Sequence, residues 1–286
     1  MGPGSVAREF VLQGLPTSVA TLNTGARMPA LGLGVFQSPS GAPTRKAVVS
    51  AIAAGYRHID TAKIYGNEAD VGAAVRESGV PREELFLTTK LWNDDQGYES
   101  ALRAFEKSRV ALGVEYVDLY LIHWPVRAHR HDSWRALSRL FREGKCRNVG
   151  VSNFTLHHLT ELLQDAEVVP AVNQVEFSPF LFQRDLLKFC HANGIQLEGY
   201  SPLTRGRRLG DPTLVGVATA HGVTPAQVLI RWGLQHEVVE IPKSVDPQRI
   251  RENADVFGFE LTPAEMETLD RLDEGLHTSW DPTSMP

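Results

Sequence analysis

Short apolar runs with the length of buried strands recur along almost the whole chain, each followed by a helix-length patterned segment. The runs lie at 31–35, 57–60, 85–90, 117–122, 147–151, 171–175, 195–199 and 238–241. Helical patterns occupy 44–54, 67–78, 98–112, 132–143, 156–165, 184–193, 224–235 and 247–254. Strands joined through helices run parallel, because the chain returns along a helix each time. Eight such units in 286 residues, with no break in composition, predict an α/β fold closed into a (β/α)8 TIM barrel, which typically needs about 250 residues. Weak alternation over 18–28 around Asn23-Thr24-Gly25 predicts an N-terminal β-hairpin. The segment 211–221 adds a helical turn or more. Thr262-Pro263 supplies a cap and a first-turn proline for an extra C-terminal helix over 263–272, followed by a tail. Residues 1–286 thus read as one domain, with MGPGS at 1–5 a cloning remnant outside the fold.

Bulk properties exclude several kinds of partner. A net charge of −5 argues against a nucleic-acid or anionic-membrane surface. Cys146 and Cys190 form no CxxC pair, which suits a reducing, cytoplasmic setting. No apolar run reaches the ~18 residues of a membrane span, and the N-terminus lacks a signal-peptide pattern.

Three consecutive strand runs end in an ionisable residue: Asp60, Lys90 and His123. In a barrel these neighbouring C-terminal strand ends converge on one mouth. A strand-end acid is costly unless paired, and Lys90 is the available cation. Tyr65 follows Asp60 by five residues. It can give up a proton readily only if its pKa, ordinarily about 10, is lowered, and a cation within a few ångströms shifts a pKa by ~1–3 units. Taken singly, each residue has a plainer reading: a packing tyrosine, a helix cap, a solvated lysine, a core histidine.

Other motifs mostly exclude. GLGVFQ places Gln37 where a dinucleotide fingerprint needs its third glycine, and GVSNF places Phe154 where a nucleophile elbow needs its second. His129 and His131 lack further ligands at workable spacing, so no metal site is expected. His157 and His158 read as helix-surface residues. Asp246-Pro247 marks a helix start, and Arg249 then falls in its first turn, where the helix dipole disfavours a cation. With Lys243 just upstream, that placement suggests an anion, although Arg249 could instead pair with Glu252.

GYRHIDTAKIYGNE, LFLTTKLWN, DLYLIHWP, GVSNF, VNQVEFSP, GYSPL and IPKSVDPQRIRENADVF, in this order over Met28–Phe259, resemble the signature segments of the aldo-keto reductases. The shorter loops and tail are most similar to the branch of bacterial diketogluconate reductases and protozoan prostaglandin F synthases. The resemblance implies a catalytic tetrad of Asp60, Tyr65, Lys90 and His123. In it Tyr65 is the general acid, Lys90 stabilises its phenolate, Asp60 fixes Lys90 and His123 orients a carbonyl. It implies NADPH as cofactor, its carboxamide held by Ser152, Asn153 and Gln174 and its nicotinamide face covered by Tyr200. Ser201 and Leu203 would also contact it, Lys243, Ser244 and Arg249 would clamp its 2′-phosphate, and Glu252 and Asn253 would face adenine. The basic loop 204–212, with Arg205, Arg207 and Arg208, either adds pull on the cofactor or is merely solvated. Phe36, Ile64, Trp92 and Trp124 match the family's apolar substrate pocket. Trp280 in the tail is expected at its mouth beside Trp124 or Phe36, with packing on the outer helices as the alternative. The activity implied is reduction of a small-molecule aldehyde or ketone by a monomeric enzyme. An isomerase or aldolase using Lys90 is one rival, and an NADPH-binding regulatory barrel with little turnover is another.

Overall fold

In the computed structural model, residues 9–285 are described; residues 1–5, expected to be a cloning remnant, lie outside the described residues. Eight parallel strands form one sheet in chain order: β4 (Leu33–Gly34), β5 (His58–Asp60), β6 (Phe86–Leu91), β7 (Leu119–Ile122), β8 (Val149–Ser152), β9 (Val172–Glu176), β10 (Gln196–Tyr200) and β11 (Val239–Glu240). Before them, β1 (Phe10–Val11), β2 (Val19–Thr21) and β3 (Arg27–Pro29) make a small antiparallel sheet. The expected hairpin is therefore present. β1 was not anticipated, since two residues carry no readable alternation.

The sheet closes on itself. Gly32 N–H donates to the Glu240 carbonyl at 2.8 Å and Glu240 N–H to the Ala30 carbonyl at 2.9 Å, while Leu31 bridges Glu240 and Gly34 bridges Lys243. Closure leaves no room at Gly34, where a Cβ would stand 2.9 Å from the Ile241 carbonyl oxygen. The helices α1 (Ala42–Ala53), α2 (Glu68–Glu77), α3 (Tyr98–Leu112), α4 (Arg130–Arg142), α5 (Leu156–Asp165) and α6 (Arg184–Ala192) follow β4 to β9. After β10 come α7 (Pro212–His221) and α8 (Pro225–Gln235); after β11 come α9 (Pro247–Ala254) and α10 (Pro263–Asp270). The weakly marked 211–221 is thus a full ten-residue helix, capped by Asp211. No single described helix is long and apolar enough to cross a membrane.

Strand period sorts the side chains into two cores. Ile59, Leu87, Tyr120, Ile122, Val151, Val175 and Leu197 point outward and pack with helix residues such as Val71, Phe105, Leu137 and Trp232. Phe86, Leu119, Leu121, Val172 and Val239 point inward and are closed from below by Ala20, Leu22 and Met28 of the hairpin. Above this apolar floor the inward positions become polar: His58, Thr88, Gln174 and Glu198, then Asp60 and Lys90 at the top, all buried. Each buried polar group here needs a partner or must give up its charge.

Candidate active site

The stretch after β5 explains how Tyr65 reaches the mouth. Residues Lys63–Tyr65 form one 3-10 turn, ended by Gly66 in the left-handed region at φ 66°. Asn67 ties the turn down: its Nδ2 donates to the Val35 carbonyl at 3.0 Å and its Oδ1 accepts from Thr61 Oγ1 at 2.7 Å. Thr89, on the outward phase of β6, donates to Glu68 in the first turn of α2 at 2.6 Å. The tyrosine is therefore held by three elements rather than by its own turn.

Lys90 lies at the centre, with no exposed surface. Its Nζ donates to both Asp60 oxygens at 2.6 and 2.8 Å and to the Thr61 carbonyl at 2.9 Å, with Tyr65 Oη at 3.4 Å. Asp60 Oδ2 also accepts from Gln174 Nε2 at 2.9 Å. Both oxygens thus accept hydrogen bonds, the arrangement of a carboxylate. Burial pushes Asp60 upward, and Lys90 and Gln174 pull against it. For Lys90 burial favours the neutral amine, but Asp60 outweighs it and raises the ammonium above its ordinary value. We read the pair as ionised.

Tyr65 departs from the expectation of a lowered pKa. Burial raises it, and the pull of Lys90 only partly compensates, while Asp60 adds to the rise. At rest the phenol is firmly protonated. A proton donor must begin protonated, so this does not disqualify it; Lys90 acts on the phenolate that forms afterwards. His123, on the other side of the mouth, is held neutral, its pKa driven well down by burial and by Lys90. Its ring meets Tyr65 edge-on at 5.9 Å and Trp92 at 5.3 Å, and its Nδ1 has no protein partner.

These groups open onto a cavity of about 710 Å³. Phe36, Ile64, Trp92, Trp124 and Trp280 line it together with Ser152, Asn153, Gln174, Tyr200, Ser201, Leu203 and Lys243. Ser152 and Asn153 do not cap α5; Thr155 does, in a capping box with His158. Asn153 sits in the left-handed region at φ 62°, which asparagine tolerates better than most residues. Its Nδ2 donates to the His123 carbonyl and its Oδ1 accepts from Tyr200 Oη at 2.8 Å, fixing the Tyr200 ring as a wall.

The sequence profile of the aldo/keto reductase family matches residues 30–274. The chain belongs to that family. It is 52% identical over 263 residues to a glyoxal reductase of Bacillus subtilis (strain 168), covering 91% of this chain and 95% of that protein. It is likewise 52% identical over 265 residues to a 9,11-endoperoxide prostaglandin H2 reductase of Trypanosoma cruzi (strain CL Brener), covering 92% and 94%. The crystal structure of a Bombyx mori aldo-keto reductase in complex with NADP superposes with a TM-score of 0.87 at 34% identity, covering 93% of this chain and 95% of that one. Membership makes this chain an oxidoreductase of carbonyl compounds.

Not every residue implied by the resemblance lines the aldo-keto reductase cavity. Ser244, Arg249, Glu252 and Asn253 lie beyond it; Ser244 and Asn253 are buried and Arg249 is exposed. The start of α9 is also less available to an anion than its sequence suggests. Asp246 caps it, accepting from Gln248 N at 2.7 Å and Arg249 N at 3.2 Å. Any anion there meets side chains rather than those amides. Two arginines of the basic loop reach the tail: Arg205, which also lines the cavity, donates to Ser279 at 2.9 Å, and Arg208 donates to Glu274 at 2.7 Å. His158, expected on the surface, is buried and pairs with the Met285 carbonyl at 3.1 Å. His157 is exposed as expected. Trp280 rests on Trp124, ring centroids 5.0 Å apart, rather than on the outer helices.

Three residues escaped the sequence reading. Glu176 grips the tail, accepting from Thr278 N at 2.8 Å and Ser279 N at 3.1 Å. Glu198 and His58 sit beneath Asp60 and Lys90 inside the barrel. All three occupy inward positions of strands, and an ionisable side chain in phase with Gln174, Tyr200 or Asp60 was the available signal.

Proposed function

We propose that the chain reduces aldehydes or ketones to alcohols with NADPH, with Tyr65 as general acid. The observation that carries this reading is the buried Asp60–Lys90 pair set 3.4 Å from the Tyr65 hydroxyl at the base of an aromatic cavity. Loss of the Tyr65 proton creates an anion beside a fixed ammonium, whose charge no water screens. His123, neutral and without a partner at Nδ1, orients the carbonyl oxygen by donating one ring N–H. Trp92, Trp124 and Phe36 give the reacting centre an apolar wall.

The donor set suits a nicotinamide. Tyr200 offers a ring face immobilised through Asn153. Gln174 uses Nε2 on Asp60 and Glu198, so only its carbonyl oxygen remains to accept from a carboxamide N–H. Lys243, exposed and lining the cavity, and Arg249 on α9 would meet a 2′-phosphate. When bound, the cofactor supplies the reducing equivalent; the protein positions the carbonyl and delivers the proton. The similarity to a glyoxal reductase makes a small dicarbonyl a substrate to try first.

The test is NADPH consumption with glyoxal and with an aromatic aldehyde, for the wild type and Tyr65→Phe. Loss of the general acid is expected to lower kcat by ~10²–10⁴ while NADPH binding, followed by protein fluorescence, persists. NADPH binding without turnover of either substrate would favour the regulatory reading. Near-normal turnover by a folded Tyr65→Phe would remove Tyr65 from its role.

A further inference from the structure

Beneath Asp60 and Lys90 the barrel holds a second carboxyl group that the reaction as described does not use. Glu198 projects inward from β10, fully buried and in register with Gln174 on β9. Its Oε2 accepts from Gln174 Nε2 at 2.9 Å, and the same nitrogen donates to Asp60 Oδ2 at 2.9 Å. One amide therefore spans the two carboxyl groups. Glu198 Oε1 stands 3.5 Å from His58 Nε2 on β5 without forming a hydrogen bond.

No cation is hydrogen-bonded to Glu198. Lys90, on β6, spends its ammonium on Asp60, Thr61 and Tyr65. His58 is neutral, driven down to about 3 by burial and by Lys90, and Thr88 beside it is uncharged. Glu240, on β11, occupies the outward phase and packs against Gly233 of α8. A buried carboxylate with one amide donor and no directly bonded cation is unfavourable, so Glu198 retains its proton. Burial first, and then the charge of Asp60, push it up to about 8 against the weaker pull of Gln174 and Lys90.

We propose that Glu198 is a positioning residue for the acid: while neutral it anchors Gln174 against Asp60, and on ionising it disables Tyr65. The proposal rests on Tyr65 as general acid. With Glu198 neutral, Asp60 and Lys90 sum to zero charge, and the departing proton leaves a phenolate beside an ammonium. With Glu198 ionised, two carboxylates face one ammonium, and a phenolate would be a third anion in the same dry interior. Like charge disfavours that ionisation, so the alkaline decline of the reaction reports Glu198 and not Tyr65.

The experiment compares wild type with Glu198→Gln, which has the shape of the protonated acid, and with Glu198→Leu, which removes the charge should the amide fold poorly. Two quantities are followed against pH: kcat, and the near-ultraviolet phenolate absorbance of Tyr65 with Tyr65→Phe as blank. For wild type, kcat is expected to fall tenfold per pH unit above a midpoint near 8. In the variants that midpoint moves up by roughly one unit or more, and Tyr65 itself ionises at lower pH than in wild type. Identical alkaline limbs and identical phenolate midpoints overturn the proposal, as does a uniform loss of kcat with an unchanged profile. If wild type turns over no carbonyl, the proposed function fails, and the phenolate titration still decides the role of Glu198.

Discussion

Replacing Lys90 by methionine isolates the energetics of the barrel mouth. The substitution keeps the length of the stem but removes every hydrogen bond of the ammonium, leaving Asp60 with Gln174 as its one side-chain donor. Asp60 is 2% exposed and Lys90 0%, so water cannot take over. Breaking a buried pair from one side costs ~3–5 kcal/mol, because an uncompensated charge remains. The carboxyl can escape by binding a proton, and without Lys90 burial would hold its folded pKa well above the unfolded value of about 3.9. The sign follows: a raised folded pKa gives stability that is complete below the unfolded pKa and lost as pH rises through the folded one. The deficit of Lys90→Met relative to wild type should therefore be small near pH 5 and approach the full value near pH 8. Urea unfolding followed by tryptophan fluorescence at both pH values measures it. Adding Asp60→Asn should recover more than half of the loss at pH 8 and abolish its pH dependence. A deficit equal at the two pH values, or no recovery in the double variant, would refute the reading of an ionised pair.

Other outcomes are accessible to the same protein. Lys243→Met should weaken NADPH binding roughly ten- to a hundredfold, the loss of a charge-assisted hydrogen bond of ~1.5–3 kcal/mol, with NADH binding little changed; equal losses in fluorescence titrations would deny Lys243 its phosphate role. Trp280→Ala, which removes the ring resting on Trp124, should alter the ratio of kcat/KM for bulky and small aldehydes and leave NADPH affinity unchanged; a ratio that stays constant excludes Trp280 from selectivity. Glu240 is buried with neither carboxyl oxygen hydrogen-bonded, and burial raises its pKa well above the carboxylate range. Its stabilising contribution is complete below the unfolded value of about 4.3 and declines as pH rises. Glu240→Gln should flatten the fall in unfolding free energy between pH 5 and pH 8; parallel curves for variant and wild type would contradict this.

Much of this protein is legible without coordinates because much of it is local. Strand phase alone sends His58, Asp60, Lys90, Gln174, Glu198 and Tyr200 to one side and Ile59, Leu87 and Leu197 to the other. Asp246 and Thr262 cap α9 and α10 where the side chain–proline pattern places them. The order of strands makes β5, β6 and β7 neighbours, and with them the ends that carry Asp60, Lys90 and His123. None of these outcomes needs a contact between remote segments beyond the regular sheet.

What only the tertiary structure decided depends on remote segments meeting. Closure of β4 on β11 hinges on backbone at Gly34 and Ile241, far apart in the chain. The tail has no periodicity, yet Glu176 and Arg205 hold it against the cavity through Thr278 and Ser279. His158 is patterned as surface and becomes buried because Met285 returns to it. The direction of the Tyr65 shift belongs here too. Sequence points to the cation that lowers a pKa, whereas desolvation is imposed by every element that excludes water from the site, and at Tyr65 desolvation wins. The same exclusion pushes Glu198 and Glu240 above the usual carboxylate range.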